Sequence, residues 1–126
     1  MQKVSCIIPM YNEVSRISTV LTVLTQISYI GEIICVDDGS SDGGAQLIKK
    51  HFPHVHLIIH KVNQGKAGAV KTWIQASSYD NIFLCDADIE WLVKKEIEAA
   101  IQVFFKKKCR YSISEKRKCS HTYQDV

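Results

Sequence analysis

A chain of 126 residues has the length of one domain, and 46% hydrophobic with 23% charged residues is the balance of a globular protein with a buried core. That composition excludes a disordered tail, a collagen-like repeat and a disulfide-built miniprotein, and no apolar run reaches the roughly 18–20 residues that span a bilayer. The formal charge of +3 hides an asymmetry: residues 1–90 carry 7 Lys and Arg against 9 Asp and Glu, a net −2, whereas residues 91–126 carry 9 against 4, a net +5.

The apolar run Val4–Pro9 predicts a first strand, and Val14, Ile17, Val20, Leu21 and Leu24 at helical spacing predict a helix after it. Glu32–Val36 predicts a second strand that stops at Asp37-Asp38-Gly39. Ser40, Ser41 and Asp42 supply N-cap chemistry for a helix to about Phe52, closed by Pro53. Val55–Ile59 alternates as a third strand at the sheet edge. Asn63-Gln64-Gly65 predicts a turn, and Lys66–Ser77, rich in small residues, a helix. Ile82–Cys85 is a fourth buried strand ending at Asp86-Ala87-Asp88. A last helix covers about Val93 to Lys107, and Arg110–Ser114 offers a fifth strand.

This alternation predicts an α/β fold, a Rossmann-like, mainly parallel sheet with helices on both faces, because near-continuous apolar strands need cover on both sides. The chain reads as a single domain over 1–126, with the site motifs in 1–92 and a helix plus a basic tail in 93–126. Ligands in such folds bind outside the carboxyl ends of the strands. Here those ends carry Pro9-Met10-Tyr11-Asn12-Glu13, Asp37-Asp38-Gly39-Ser40 and Asp86-Ala87-Asp88, so polar and acidic groups converge on one rim.

Carboxylates brought together at strand ends need solvent, donors or a cation. Asp86 and Asp88 would project to the same side if the backbone there stays extended, and oxygen ligands of that kind suit Mg2+ or Mn2+ shared with substrate phosphates; two surface turn aspartates, one capping a helix, is the plainer alternative. One aspartate would serve the turn after the second strand, and the pair Asp37-Asp38 is better explained by a ligand with N–H donors, such as a base or ribose. Gly65, Lys66 and Gly68 at a helix start favour an anion, with a tight helix–sheet contact an equal alternative for Gly68. Neither a P-loop nor a G-x-G-x-x-G fingerprint is present, and aspartyl-phosphate chemistry would require a D-x-D-x-T after the first strand.

The remaining residues are expected to be structural. Cys6, Cys35 and Cys85 lie in apolar runs as buried free thiols of a reducing compartment, and Cys109, Cys119 and His121 are too sparse for zinc. His54, His56 and His60 are expected on one solvent-facing side of the third strand; Trp73 and Trp91 read as packing residues, with Trp91 placed where it could floor a site. The N-terminus is a poor signal peptide, which suggests a cytoplasmic protein. The basic tail reads as solvated surface or as a contact for a membrane face, and no aromatic-interleaved basic motif supports nucleic-acid binding.

S-C-I-I-P-M-Y-N-E at 5–13, V-D-D-G-S-S-D-G at 36–43, N-Q-G-K-A-G-A-V at 63–70 and L-C-D-A-D at 84–88 stand in the order and spacing of the family 2 glycosyltransferases. The resemblance covers about residues 3–92 and is greatest to the branch that uses polyprenyl or dolichyl phosphate. It implies a GT-A-type fold that binds a UDP- or GDP-linked sugar with Mn2+ or Mg2+ and transfers the sugar with inversion. By motif position, Pro9, Tyr11, Glu13, Asp37, Asp38, Gly65, Lys66 and Asp86 would contact the donor nucleotide, and Asp86 and Asp88 would hold the metal. After Asp88 the chain lacks the P-P-E of many relatives, and no acceptor-side base can be assigned. The chain therefore reads as the donor-binding half, its acceptor a polyprenyl phosphate or a glycan, with a non-catalytic nucleotide-sugar-binding module as the alternative. An incomplete sheet would also favour self-association.

Overall fold

The computed structural model describes residues 2–61, 73–89, 92–107, 109–110 and 123–124. Four strands, β1 (Val4–Met10), β2 (Ile30–Asp37), β3 (His56–Ile59) and β4 (Ile82–Leu84), form one sheet in the order β3-β2-β1-β4, with every neighbouring pair parallel. The chain steps outward from β1 to β2 to β3 and then returns to the far side of β1 for β4. That reversal of winding is where open α/β sheets form their ligand crevice.

Strand β1 is central because its residues are apolar on both faces. Val4, Cys6, Ile8 and Met10 face a core completed by α1 (Val14–Leu24), α2 (Gly44–His51) and α3 (Lys94–Lys107), which contribute Ile17, Val20, Leu21, Leu24, Ile48, Ile97 and Ile101. Ile7, with Ile34 and Val36 of β2, packs on the other face against Trp73 from a helical turn at 73–76. Both faces are thus covered, as the unbroken apolar strands require. Burying one such side chain contributes roughly 1.5–3 kcal/mol, so the buried residues of β1 and α1 contribute substantially to stability.

Cys6, Cys35 and Cys85 are buried free thiols, as expected. Burial pushes the Cys35 thiol up to about 12, with Asp37 adding to it. Cys6 and Cys85 are raised mainly by burial as well, Cys6 further by its neighbouring thiols and Cys85 further by Asp86. All three therefore behave as neutral core residues.

Element boundaries differ from expectation by one or two residues. Strand β2 begins at Ile30, ahead of Glu32, because Ile30 already pairs with Val4 of β1, and Glu32 opposite Ser5 adds a side-chain bond, its carboxylate accepting the Ser5 hydroxyl at 2.6 Å. Helix α2 begins at Gly44 because Gly43 has a left-handed φ of 87°. Arg110 belongs to a two-residue strand, β5 (Cys109–Arg110), which pairs antiparallel with β6 (Tyr123–Gln124) rather than joining the main sheet. The rest of that expected fifth strand, the turn at 63–65, the first part of the helix expected from Lys66, Trp91, Lys116-Arg117-Lys118, Cys119 and His121 lie outside the described residues.

Candidate functional site

Three loops leave the carboxyl ends of β1, β2 and β4 side by side, and backbone bonds hold their starts in register. Asp38 N–H donates to Met10 O at 2.9 Å, His60 N–H to Asp37 O at 2.8 Å, and Cys85 N–H to Ile7 O at 2.9 Å. The ladder thus runs slightly past the ends of the strands, and the functional side chains begin on fixed backbone.

The first two loops are also joined through side chains. Asn12 takes a left-handed φ of 52°, a conformation asparagine tolerates better than most residues. Its backbone N–H donates to Ser40 Oγ at 2.8 Å, and its Oδ1 accepts the Ser41 N–H at 3.0 Å. Asp42 spans both helix starts: Oδ2 accepts the Val14 N–H of α1 at 2.9 Å and Oδ1 the Gly44 N–H of α2 at 3.0 Å. One carboxylate therefore satisfies an orphan amide on each helix, near two positive dipole ends. Gly39, with φ 86°, lets the second loop turn back tightly enough to reach Asn12.

Between the loops lies a cleft of about 260 Å3 lined by Pro9, Met10, Tyr11, Glu13, Asp38, Asp86, Ala87 and Asp88. Six of the sequence-predicted residues, Pro9, Tyr11, Glu13, Asp38, Asp86 and Asp88, meet there. Tyr11 lines the cleft while 49% exposed. Glu13 makes a 3.4 Å ion pair with Arg16, an exposed contact of little energetic weight. Asp88 is exposed and Asp86 half-buried.

Asp37 does not line this cleft. It is 2% exposed, and its Oδ1 accepts the Ser40 N–H at 3.1 Å, which makes it the residue that closes the turn. Asp38 is the member of the pair that faces the cleft. Gly65 and Lys66 lie outside the described residues.

His60 corrects the sequence reading. His54 and His56 are exposed, but His60 is buried, and its Nδ1 lies 3.1 Å from Asp38 Oδ1. Strand β3 ends at Ile59, so the alternation that placed His60 in solvent stops one residue short of it. No feature of the local sequence signals this contact; it arises from the register between β2 and β3.

The arrangement can be tested against a divalent cation. Among the described residues no three His, Cys, Asp or Glu side chains converge into a metal cage. Asp86 and Asp88 instead put two carboxylates on one cleft wall. This donor set suits a hard cation that keeps several waters and takes its other oxygens from a bound phosphate, as Mg2+ and Mn2+ do. Among the described residues no helix is long and apolar enough to cross a membrane.

Comparison with known proteins gives a consistent result. The family model described as glycosyl transferase family 2 matches residues 5–121. An undecaprenyl-phosphate 4-deoxy-4-formamido-L-arabinose transferase from Yersinia enterocolitica is 38% identical over 100 residues, covering 71% of this chain and 30% of that protein. A poly-beta-1,6-N-acetyl-D-glucosamine synthase from Staphylococcus epidermidis is 36% identical over 91 residues, covering 68% of this chain and 21% of the relative. Among solved structures, a mannosyltransferase from Pyrobaculum calidifontis in complex with GDP-Man and Mn2+ superimposes with a TM-score of 0.69 at 24% identity, over 81% of this chain and 32% of that one. The shared fold is the GT-A type. The chain spans between about a fifth and a third of the length of these proteins.

Proposed function

The chain belongs to glycosyl transferase family 2, and from that premise we propose that its cleft binds the nucleoside diphosphate of a UDP- or GDP-linked sugar for metal-dependent, inverting glycosyl transfer. The observation that carries this reading is the convergence of Pro9, Tyr11, Glu13, Asp38, Asp86 and Asp88, from three separate loops, on one cleft.

Each lining residue has a task that its chemistry allows. Asp38 accepts an N–H from the base, such as uracil N3–H or a guanine N–H, and the ring of Tyr11 supports the base or ribose. Asp86 and Asp88 would hold Mn2+ or Mg2+, which neutralises charge that builds on the diphosphate as the glycosidic bond breaks. In a single displacement an acceptor oxygen forms the new bond to the anomeric carbon while the bond to the diphosphate breaks, and the nucleoside diphosphate leaves. The named Yersinia relative supports a polyprenyl phosphate as acceptor. A phosphate acceptor is already an anion and requires no base to deprotonate it. The cleft residues described here would then serve the donor, with Gly65 and Lys66 proposed as further nucleotide contacts.

Calorimetric titration of UDP and GDP in Mn2+, repeated in EDTA, tests this reading. Binding of one nucleotide that EDTA abolishes is expected and selects the base. If neither nucleotide binds at millimolar concentration, the assignment of the cleft as a donor site fails.

A further inference from the structure

We propose that His60 is a positioning residue that fixes the carboxylate plane of Asp38, and so sets how the cleft reads the nucleobase. This deepens the donor-site reading above and rests on it.

The geometry is specific. The two side chains are each 8% exposed, and they come from the ends of adjacent strands, His60 beyond β3 and Asp38 beyond β2. Both backbones are already fixed, His60 N–H on Asp37 O and Asp38 N–H on Met10 O. What the backbone leaves undetermined is the side chain of Asp38, whose last torsion is broad and roughly two-fold for an aspartate. A donor on Oδ1 removes that freedom. Because a carboxylate oxygen accepts, the 3.1 Å contact requires the proton on His60 Nδ1.

Two consequences follow for the site. A carboxylate buried without a donor would be costly to keep in place, and His60 supplies one from the protein interior rather than from solvent. The carboxylate plane is also set before a base arrives, and a hydrogen bond to a base edge depends steeply on that angle. His60 is not itself among the residues that line the cleft, and its contact with the lining is Asp38, through which it acts on a ligand.

The test compares ligands with and without a base. In His60→Leu, the Kd for UDP or GDP in Mn2+ is expected to rise about tenfold while that for Mn2+-pyrophosphate is unchanged; His60→Asn, which keeps an N–H near the Nδ1 position, is expected to restore nucleotide binding to within about threefold. Equal weakening for pyrophosphate, no weakening for either nucleotide, or failure of His60→Asn to rescue would each overturn the proposal while leaving the donor site intact. Absence of nucleotide binding in the unsubstituted chain overturns the donor-site reading and this inference with it. Should His60→Leu not fold, the 15N shifts of the imidazole in the unsubstituted chain decide. An Nδ1–H tautomer whose shift responds to UDP or GDP but not to pyrophosphate supports the proposal, and an Nε2–H tautomer overturns it.

Discussion

At the end of the sheet where the strands begin, Glu32 has its carboxylate committed to the protein itself. Its Oε1 accepts the Ser5 hydroxyl at 2.6 Å and the Ser78 N–H at 2.6 Å, and the same Ser5 Oγ accepts the Tyr79 N–H at 3.2 Å. A second cavity lies beside it, about 240 Å3, with Leu24, Ile27, Ile30 and Ile33 among its lining. At the end where the strands finish, Glu13, Asp38, Asp86 and Asp88 share the walls of a single cleft. The two cavities are close in size, but the lower one has a single acid tied into the fold, and the upper one has four acids facing a common space. Acid content alone therefore does not mark a site; what matters is whether several carboxylates from different loops gather around a volume that a ligand can fill.

Substitutions at each end should break different properties. The largest effect is expected for Asp88→Ala. Loss of a residue that only supports a metal ligand costs roughly 10–100-fold in metal affinity, so removal of the proposed ligand itself should exceed about 100-fold in Mn2+-dependent nucleotide affinity, with the melting temperature unchanged. Calorimetry and a thermal melt on the same sample check both halves.

Asp42→Ala probes the upper end's architecture rather than its charge. It removes one cap from α1 and another from α2, and should cost about 1–2 kcal/mol of stability by denaturant titration. Nucleotide affinity should fall by less than in Asp88→Ala, because Asp42 does not line the cleft.

The smallest effect belongs to the lower end. Burial acts to raise the Glu32 carboxyl, but the bonds from Ser5 and Ser78 outweigh it and hold the group below its ordinary 4.5. A lowered folded value means that its contribution is present above about pH 4.5 and is lost as the pH falls through the folded value. Glu32→Gln should therefore cost about 1 kcal/mol at neutral pH. It should also flatten the acid limb of the stability curve below about 4.5. Nucleotide binding should be unaffected, which separates the two ends cleanly.

The parts of this design that were legible in the sequence are those set by local pattern. The apolar runs at Val4–Pro9 and Ile82–Cys85 and the spacing of Ile17, Val20, Leu21 and Leu24 located the sheet and α1 to within a residue or two. Strand-end position was enough to bring six site residues together. What could not be read is what depends on pairing between distant segments. Asp37 and Asp38 are indistinguishable as neighbours in sequence, and only the turn geometry shows that Asp37 closes the turn through Ser40 while Asp38 faces the cleft. Glu32 looked like a strand boundary because its partners, Ser5 and Ser78, are 27 and 46 residues away. His60 looked solvent-facing for the same reason, its partner being 22 residues distant.

The lacing of Asn12 to Ser40 and Ser41, with Asp42 across both helix starts, has a thermodynamic consequence. The entropy of ordering these two loops is spent when the chain folds, so a ligand entering between them does not lose affinity to loop ordering. Encounter with this wall of the cleft then resembles docking against a rigid surface, and differences in affinity between bases should be expressed in how long each stays bound rather than in how fast it arrives.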